Sequence, residues 1–201
     1  IKCQTYAQAL GDLTKKYFTI AVSGMHGKST TTAMIGLMME AAGLDPTVIV
    51  GTKVKWRPAT DIAPVFDKQS RPILHLVPLE LAARRPDNVG IGISNFRPGK
   101  SKYLVIEADE WNASFLNYWP KIMVITNIEE EHLDYYKNLR KIKETFKEYI
   151  GHLRKNGVLM ANADDKNVMG LAQSAKCKVQ SYSARDKIDG LKLKIPCRHN
   201  L

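Results

Sequence analysis

The sequence predicts an α/β fold, a mostly parallel sheet flanked by helices, and three observations predict it. Short apolar and β-branched runs recur along the chain, helical patterns alternate with them, and a glycine-rich turn joins the first run to the first helix. Tyr17–Ser23 reads as a buried strand ending in that turn. From Ser29 to Ala42 the residues are good helix formers, and Gly43 stands where a C-terminal cap belongs. Met34, Leu37, Met38 and Ala41 fall on one face of this helix and are expected to pack into the core. Thr47–Val50, Tyr103–Ile106 and Lys121–Thr126 read as further strands. A strongly amphipathic helix is predicted from about Asn138 to Lys155, with Leu139, Ile142, Phe146, Tyr149, Ile150 and Leu153 recurring at three- and four-residue steps. Val158–Ala161 restarts a strand, Asp165–Ala175 a helix and Lys178–Tyr182 a last strand. In a sheet of this kind ligands bind beyond the C-terminal strand ends.

The segment 52–97 does not fit this alternation. It carries Pro58, Pro64, Pro72, Pro78 and Pro86 and no sustained period, and reads as an insertion with a short helix at Leu79–Arg85 and a strand at Val89–Ile93.

A chain of 201 residues is long enough for one well-buried core, and 44% hydrophobic with 25% charged residues excludes wholesale disorder. No apolar run reaches the roughly 20 residues of a membrane span, so no membrane partner is expected. Cys3, Cys177 and Cys197 form neither a metal pair nor a disulfide framework and read as incidental thiols. The start, Ile1-Lys2-Cys3-Gln4, has no initiator methionine and no signal-peptide pattern, which gives the expectation of a fragment from a cytoplasmic protein. The net charge is +10, but the basic residues are spread and often sit beside acids. No cluster interleaves aromatics with arginines, so a small polyanion such as a nucleotide is the expected partner, not nucleic acid.

Chemistry concentrates at a few points. The standard phosphate-loop pattern needs a glycine where Val22 stands; what remains is the shorter Gly24-x-x-Gly27-Lys28-Ser29. Between strand and helix, this turn aims backbone amides and a helix N-terminus at an anion, with Lys28 for the β- and γ-phosphates and the Ser29 hydroxyl for Mg²⁺. Glu107 stands at the expected end of the strand 103–106, where a metal-binding carboxylate is wanted; Glu107, Asp109 and Glu110 together read equally well as a solvated acidic loop. His132 follows Glu129-Glu130-Glu131, and imidazole beside hydroxyl and carboxylate suits a second Mg²⁺ or Mn²⁺.

Three of these stretches together resemble the signatures of the Mur ligase central domain. They are Gly24-Met25-His26-Gly27-Lys28-Ser29-Thr30-Thr31, Glu107-Ala108-Asp109-Glu110 with Ala113-Ser114-Phe115-Leu116, and Thr126–Asp134 with its Glu131-His132-Leu133-Asp134 ending. Pro196-Cys197-Arg198-His199-Asn200 is similar to that family's Pro-Gly-Arg-His-Asn junction into its third domain, with Cys197 in place of glycine. Tyr6-Ala7-Gln8-Ala9-Leu10 resembles the linker after its first domain, and the likeness covers nearly the whole chain except about 52–97. The resemblance implies an organisation of linker (1–16), ATP-binding central domain (17–195) and start of a second linker (196–201), with N- and C-terminal domains lying outside the chain.

It also implies roles. Residues Gly24, Met25, His26, Gly27, Lys28, Ser29 and Thr30 would hold the ATP phosphates, Asn127 would line the nucleotide pocket, and His199 and Asn200 would approach the adenine or ribose. Ser29, Glu107 and His132 would hold metal, and Lys28, Glu107 and His132 would be catalytic. Within the family the chain most resembles the type that joins L-alanine to UDP-N-acetylmuramate, an ATP- and Mg²⁺-dependent step of peptidoglycan precursor synthesis. By itself the chain is expected to be inactive. Other ligases of the same fold, of the murein-peptide recycling or folylpolyglutamate type, stay open as alternatives, as does a nucleotide-binding module without ligase activity.

Overall fold

The computed structural model describes residues 3–56, 93–153 and 156–186. The stretch expected to be a linker holds a helix, α1 (Tyr6–Lys16). Thr5 caps it reciprocally: Gln8 N–H donates to Thr5 Oγ1 at 3.2 Å and Thr5 N–H donates to Gln8 Oε1 at 2.9 Å. Gly11 lets this helix press on the turn at Asn117, where a Cβ would meet the Asn117 carbonyl oxygen at 2.4 Å.

Among the described residues seven strands form one sheet: β1 (Phe18–Ser23), β2 (Thr47–Lys55), β3 (Ile93–Arg97), β4 (Tyr103–Glu107), β5 (Ile122–Ile125), β6 (Val158–Asn162) and β7 (Lys178–Tyr182). Their order is β3-β2-β4-β1-β5-β6-β7, and every pair is parallel except β2 with β3. The expected α/β architecture is therefore present. After β1 the chain moves to one side of the sheet, and after β4 it crosses to the other, so the β1 end is a switch point where a crevice opens.

The other α-helices among the described residues are α2 (Lys28–Ala41), α3 (Leu133–Tyr136), α4 (Leu139–Ile150) and α5 (Lys166–Ala172). Leu104 and Ile106 join the larger core with Phe115, Met123, Ile142, Phe146 and Tyr149, whereas Val105 packs with Val48, Val50 and Trp56. Alternate residues of β4 thus serve opposite faces, which is why its sequence is continuously apolar. No described helix is long and apolar enough to cross a membrane.

Three local expectations change. The buried face of α2 is Thr32, Gly36 and Glu40, and Met38 is 41% exposed. The helix lies so close to β2 that a Cβ on Gly36 would sit 2.9 Å from Val48 Cγ2; small residues face the strand, while Ile35, Leu37 and Met39 flank it. Helix α4 stops at Ile150, short of residue 155, although Leu153 still reaches the core. Within 52–97, β2 runs on to Lys55, and the chain returns as its antiparallel neighbour β3. The predicted helix 79–85 lies outside the described residues, as does the predicted strand 89–93 except for Ile93, which opens β3.

Arg97, 4% exposed, ties that return to α2. It donates to Glu40 Oε1 (3.2 Å), Asp45 Oδ1 (2.9 Å) and the Pro46 carbonyl (2.6 Å). The Lys100 N–H, donating to Asp45 Oδ2 at 2.9 Å, and the Arg97 guanidinium hold the Asp45 carboxyl below the usual range. A carboxylate with a lowered folded-state pKa stabilises above its unfolded pKa and loses that contribution as pH falls through the folded one. Asp45→Asn keeps a residue type that tolerates the left-handed backbone here (φ 42°). The stability gap between wild type and Asp45→Asn in urea unfolding should be on the order of 1 kcal/mol at neutral pH. It should narrow as pH falls below the unfolded carboxyl's value of about 3.9 and vanish once pH is below the lowered folded one. A gap that stayed constant with pH would show that the Asp45 charge contributes nothing.

Candidate functional site

The turn from Gly24 to Thr30 leaves β1 at the switch point and opens α2. Gly24 is required twice over: its φ is 127°, and a Cβ would lie 2.1 Å from Thr126 Oγ1. Gly27 caps α2 in the left-handed region (φ 80°) and offers no side-chain acceptor to the first-turn amides. Those N–H groups are left for an external anion, where the helix dipole also favours negative charge.

The residues after β5 clamp this loop. Met25 N–H donates to the Asn127 carbonyl (3.2 Å) and His26 N–H to Asn127 Oδ1 (2.9 Å). The His26 carbonyl accepts from Asn127 Nδ2 (3.1 Å) and from Thr126 Oγ1 (2.7 Å). Asn127 therefore shapes the phosphate loop as well as lining the cavity beside it. That cavity, about 300 Å³, is bounded by His26, Gly27, Thr30, Asn127, Asn162 and Tyr182 among others.

Ser29 Oγ donates to Glu107 Oε1 at 2.9 Å, and the other oxygen of Glu107 accepts from the Gly51 N–H. A hydroxyl and a carboxylate this close are the hard oxygen donors that Mg²⁺ prefers, so the residues fit that ion. Glu107 also lines a second cavity of about 530 Å³ with Tyr6, Gly51, Asn95, Asp109, Asn112 and Tyr118. Beside it Asn112 and Ala113 hold left-handed backbone (φ 53° and 51°), a strain of the kind that concentrates at functional sites.

Lys28 is 13% exposed and turned inward. Its Nζ donates to Glu110 Oε1 (2.8 Å), the Gly24 carbonyl (2.8 Å) and the Met25 carbonyl (3.2 Å). Glu110 is fully buried; burial pushes its carboxyl up, and the neighbouring Lys28 opposes that rise. His132, itself in left-handed backbone (φ 52°), places Nε2 3.6 Å from Glu110 Oε1. Glu110, Glu131 and His132 bring ligand atoms within 4.8 Å of one another. Tyr136 Oη donates to the Glu110 carbonyl and holds this segment against α3.

The sequence-derived residues thus converge on one edge of the sheet, in two groups. Ser29 meets Glu107, while Lys28 and His132 meet Glu110; His132 and Glu107 make no ion pair with each other. Sequence reasoning missed Glu110 as a site residue because three acids in a row of four look solvated. It also missed Asn162 and Tyr182, which the strand-end rule could have found, since each closes a parallel strand. His199 and Asn200 lie outside the described residues.

A phosphate-type loop at the switch point of a parallel sheet, with hydroxyl, lysine and carboxylates around its mouth, defines an anion-binding α/β domain. The chain belongs to the Mur ligase family: the family's middle domain matches residues 22–199. Among curated relatives, the UDP-N-acetylmuramate–L-alanine ligase of Caldicellulosiruptor saccharolyticus is 38% identical over 94% of this chain and 34% of its own length. The ligase of the same name from Borreliella burgdorferi is 34% identical over 92% and 33%. The chain therefore spans about a third of the length of the curated relatives it matches. In fold it is similar to the UDP-N-acetylmuramate:L-alanyl-γ-D-glutamyl-meso-diaminopimelate ligase of Neisseria meningitides (TM-score 0.61, 22% identity, 87% of this chain and 49% of that one). It is likewise similar to the UDP-N-acetylmuramate–alanine ligase of Thermotoga maritima (TM-score 0.58, 21% identity, 89% and 32%).

Gly24→Ala should test the loop directly. The added methyl meets Thr126 and Asn127 in a backbone region closed to alanine, so a stability loss of about 2 kcal/mol or more is expected, with ADP binding lost. Unchanged thermal unfolding and ADP titration would mean that the close approach is not needed.

Proposed function

We propose that this chain is the ATP-binding part of a cytoplasmic acid–amino-acid ligase that joins L-alanine to UDP-N-acetylmuramate in peptidoglycan precursor synthesis. The observation that carries the reading is the convergence of Lys28, Ser29, Glu107 and His132 around the Gly24–Thr30 turn, in a chain of this family. The relatives that are 34% and 38% identical support the alanine-adding type by their names; the recycling-type neighbour is similar in fold only.

The chemistry begins with a poor acyl donor, the muramoyl lactate carboxylate. It attacks the γ-phosphate of ATP, releasing ADP and forming an acyl phosphate; the amine of L-alanine then attacks the acyl carbon, an amide forms and phosphate leaves. The first step brings two anions together, so positive charge at the loop must offset their repulsion. Lys28 would supply one such charge to the β- and γ-phosphates, and the amides opening α2 would cradle them. Mg²⁺, when bound, would neutralise phosphate charge; Ser29 and Glu107 would hold one ion, and His132 a second. The 300 Å³ cavity beside Asn127 would take the nucleoside, with His199 and Asn200 approaching it from the end of the chain. Domains that bind the UDP-sugar and the amino acid would flank residues 17–195 in the complete ligase.

Phosphate release by the full-length protein with ATP, Mg²⁺, UDP-N-acetylmuramate and a panel of amino acids is the test. L-Alanine should support the fastest turnover, and Lys28→Ala should lower it by about 10²-fold or more with unchanged circular dichroism. The 201-residue chain alone should release little or no phosphate. Normal turnover by Lys28→Ala would remove the site assignment; release driven equally by every amino acid would remove the substrate assignment.

A further inference from the structure

Glu110 is fully buried, and the ligase scheme above gives it no task. One of its oxygens, Oε1, receives the Lys28 ammonium at 2.8 Å and lies 3.6 Å from His132 Nε2; the other, Oε2, is buried with no hydrogen-bond partner. Lys28 has three N–H donors, and its three acceptors are Glu110 and the carbonyls of Gly24 and Met25. Both carbonyls belong to the loop whose amides face the anion. In this arrangement the ammonium is folded back on its own loop, with every donor spent inside the protein. A phosphate can recruit it only by displacing at least one of these acceptors, and the carboxylate is the strongest of them.

We propose that Glu110 is a positioning residue that sets nucleotide affinity by competing with the phosphates for Lys28. The proposal rests on the reading of Gly24–Thr30 as a phosphate site. Without nucleotide, the carboxylate gives the buried ammonium a partner and keeps it at the loop; on binding, one anion is exchanged for another. A lysine left with no carboxylate would be a buried charge without compensation, and the loop would carry that cost in the free protein. The exchange also reaches beyond α2. Glu110 is the shared neighbour of Lys28 and of His132 in the segment after β5, so release of the ammonium leaves His132 Nε2, 3.6 Å away, facing the freed oxygen.

A double-mutant cycle on the 201-residue chain, read by calorimetric titration with MgADP and with adenosine, tests this. Glu110→Gln should bind MgADP about tenfold more tightly than wild type, the size expected when one charge-assisted hydrogen bond no longer has to be broken. In a Lys28→Met background the same substitution should give no tightening. Adenosine, which has no phosphate, should bind all four proteins alike. Equal tightening with and without Lys28 would mean that Glu110 merely repels phosphate, and would overturn the proposal; so would unchanged or weaker MgADP binding by Glu110→Gln. Wild type binding MgADP no better than adenosine would instead remove the phosphate-site reading and the proposal together. Should Glu110→Gln fail to fold, Glu110→Asp carries the same cycle, because it keeps the charge but withdraws it from Lys28 by one methylene.

Discussion

The site depends on the absence of a side chain at Gly24. The hydroxyl of Thr126 and the backbone of Asn127 stand where a Cβ would go, so the end of β1 and the end of β5 touch without an intervening layer. That contact lets Asn127 bond both the N–H and the carbonyl of His26, which fixes the path of the loop before α2 begins. Helix α2 then starts at a set point, and the first two side chains it presents are Lys28 and Ser29. Both must meet acids from β4 and the turn after it, and neither could do so if the loop lay farther from the sheet. The parallel register of β1 with both β4 and β5 brings all three strand ends to one edge and makes the meeting possible.

Much of this was legible in the sequence, for physical reasons. A parallel sheet covered on both faces writes itself as unbroken apolar runs, and the strand ends at Ser23, Glu107 and Ile125 fall within a residue of where the runs stop. Periodicity alone found the core side of α4, because its buried residues are large. It misplaced the core side of α2, because closeness to β2 there selects Thr32 and Gly36 over larger apolar residues. The limit at Glu110 is of another kind. Composition registers an acid as solvated, and only the approach of Lys28 from 82 residues away makes its burial tolerable.

Long-range pairing of this sort also explains how the chain keeps charge near its core at all. Among the described residues, Lys28 with Glu110 and Arg97 with Glu40 are ion pairs held out of solvent, and the half-buried Asp45 joins the second. The arginine cluster is a joint: its planar fork holds β3 to the end of α2 and has all its contacts within the protein. The lysine pair differs in chemistry and in setting. An ammonium on a flexible stem can change partners at little geometric cost, and its acceptors sit at the mouth of a loop rather than between packed elements.

Glu107 joins two features at one edge of the sheet. Its first oxygen takes the Ser29 hydroxyl beside the phosphate loop, and its second takes the Gly51 N–H where β2 borders the 530 Å³ cavity. A single carboxylate is therefore shared between the loop and that cavity. On the reading proposed above, the reaction needs a carboxylate from one substrate to reach the terminal phosphate of another, two anions that repel in water. A cation held by Ser29 and Glu107 would supply positive charge that lowers that repulsion. The +10 charge of the chain would act in the same direction at longer range, since both proposed reactants are polyanions that a basic surface attracts. On that reading, an acid on the wall common to loop and cavity would let one bound charge lower the repulsion for both, which separate sites for each substrate could not do.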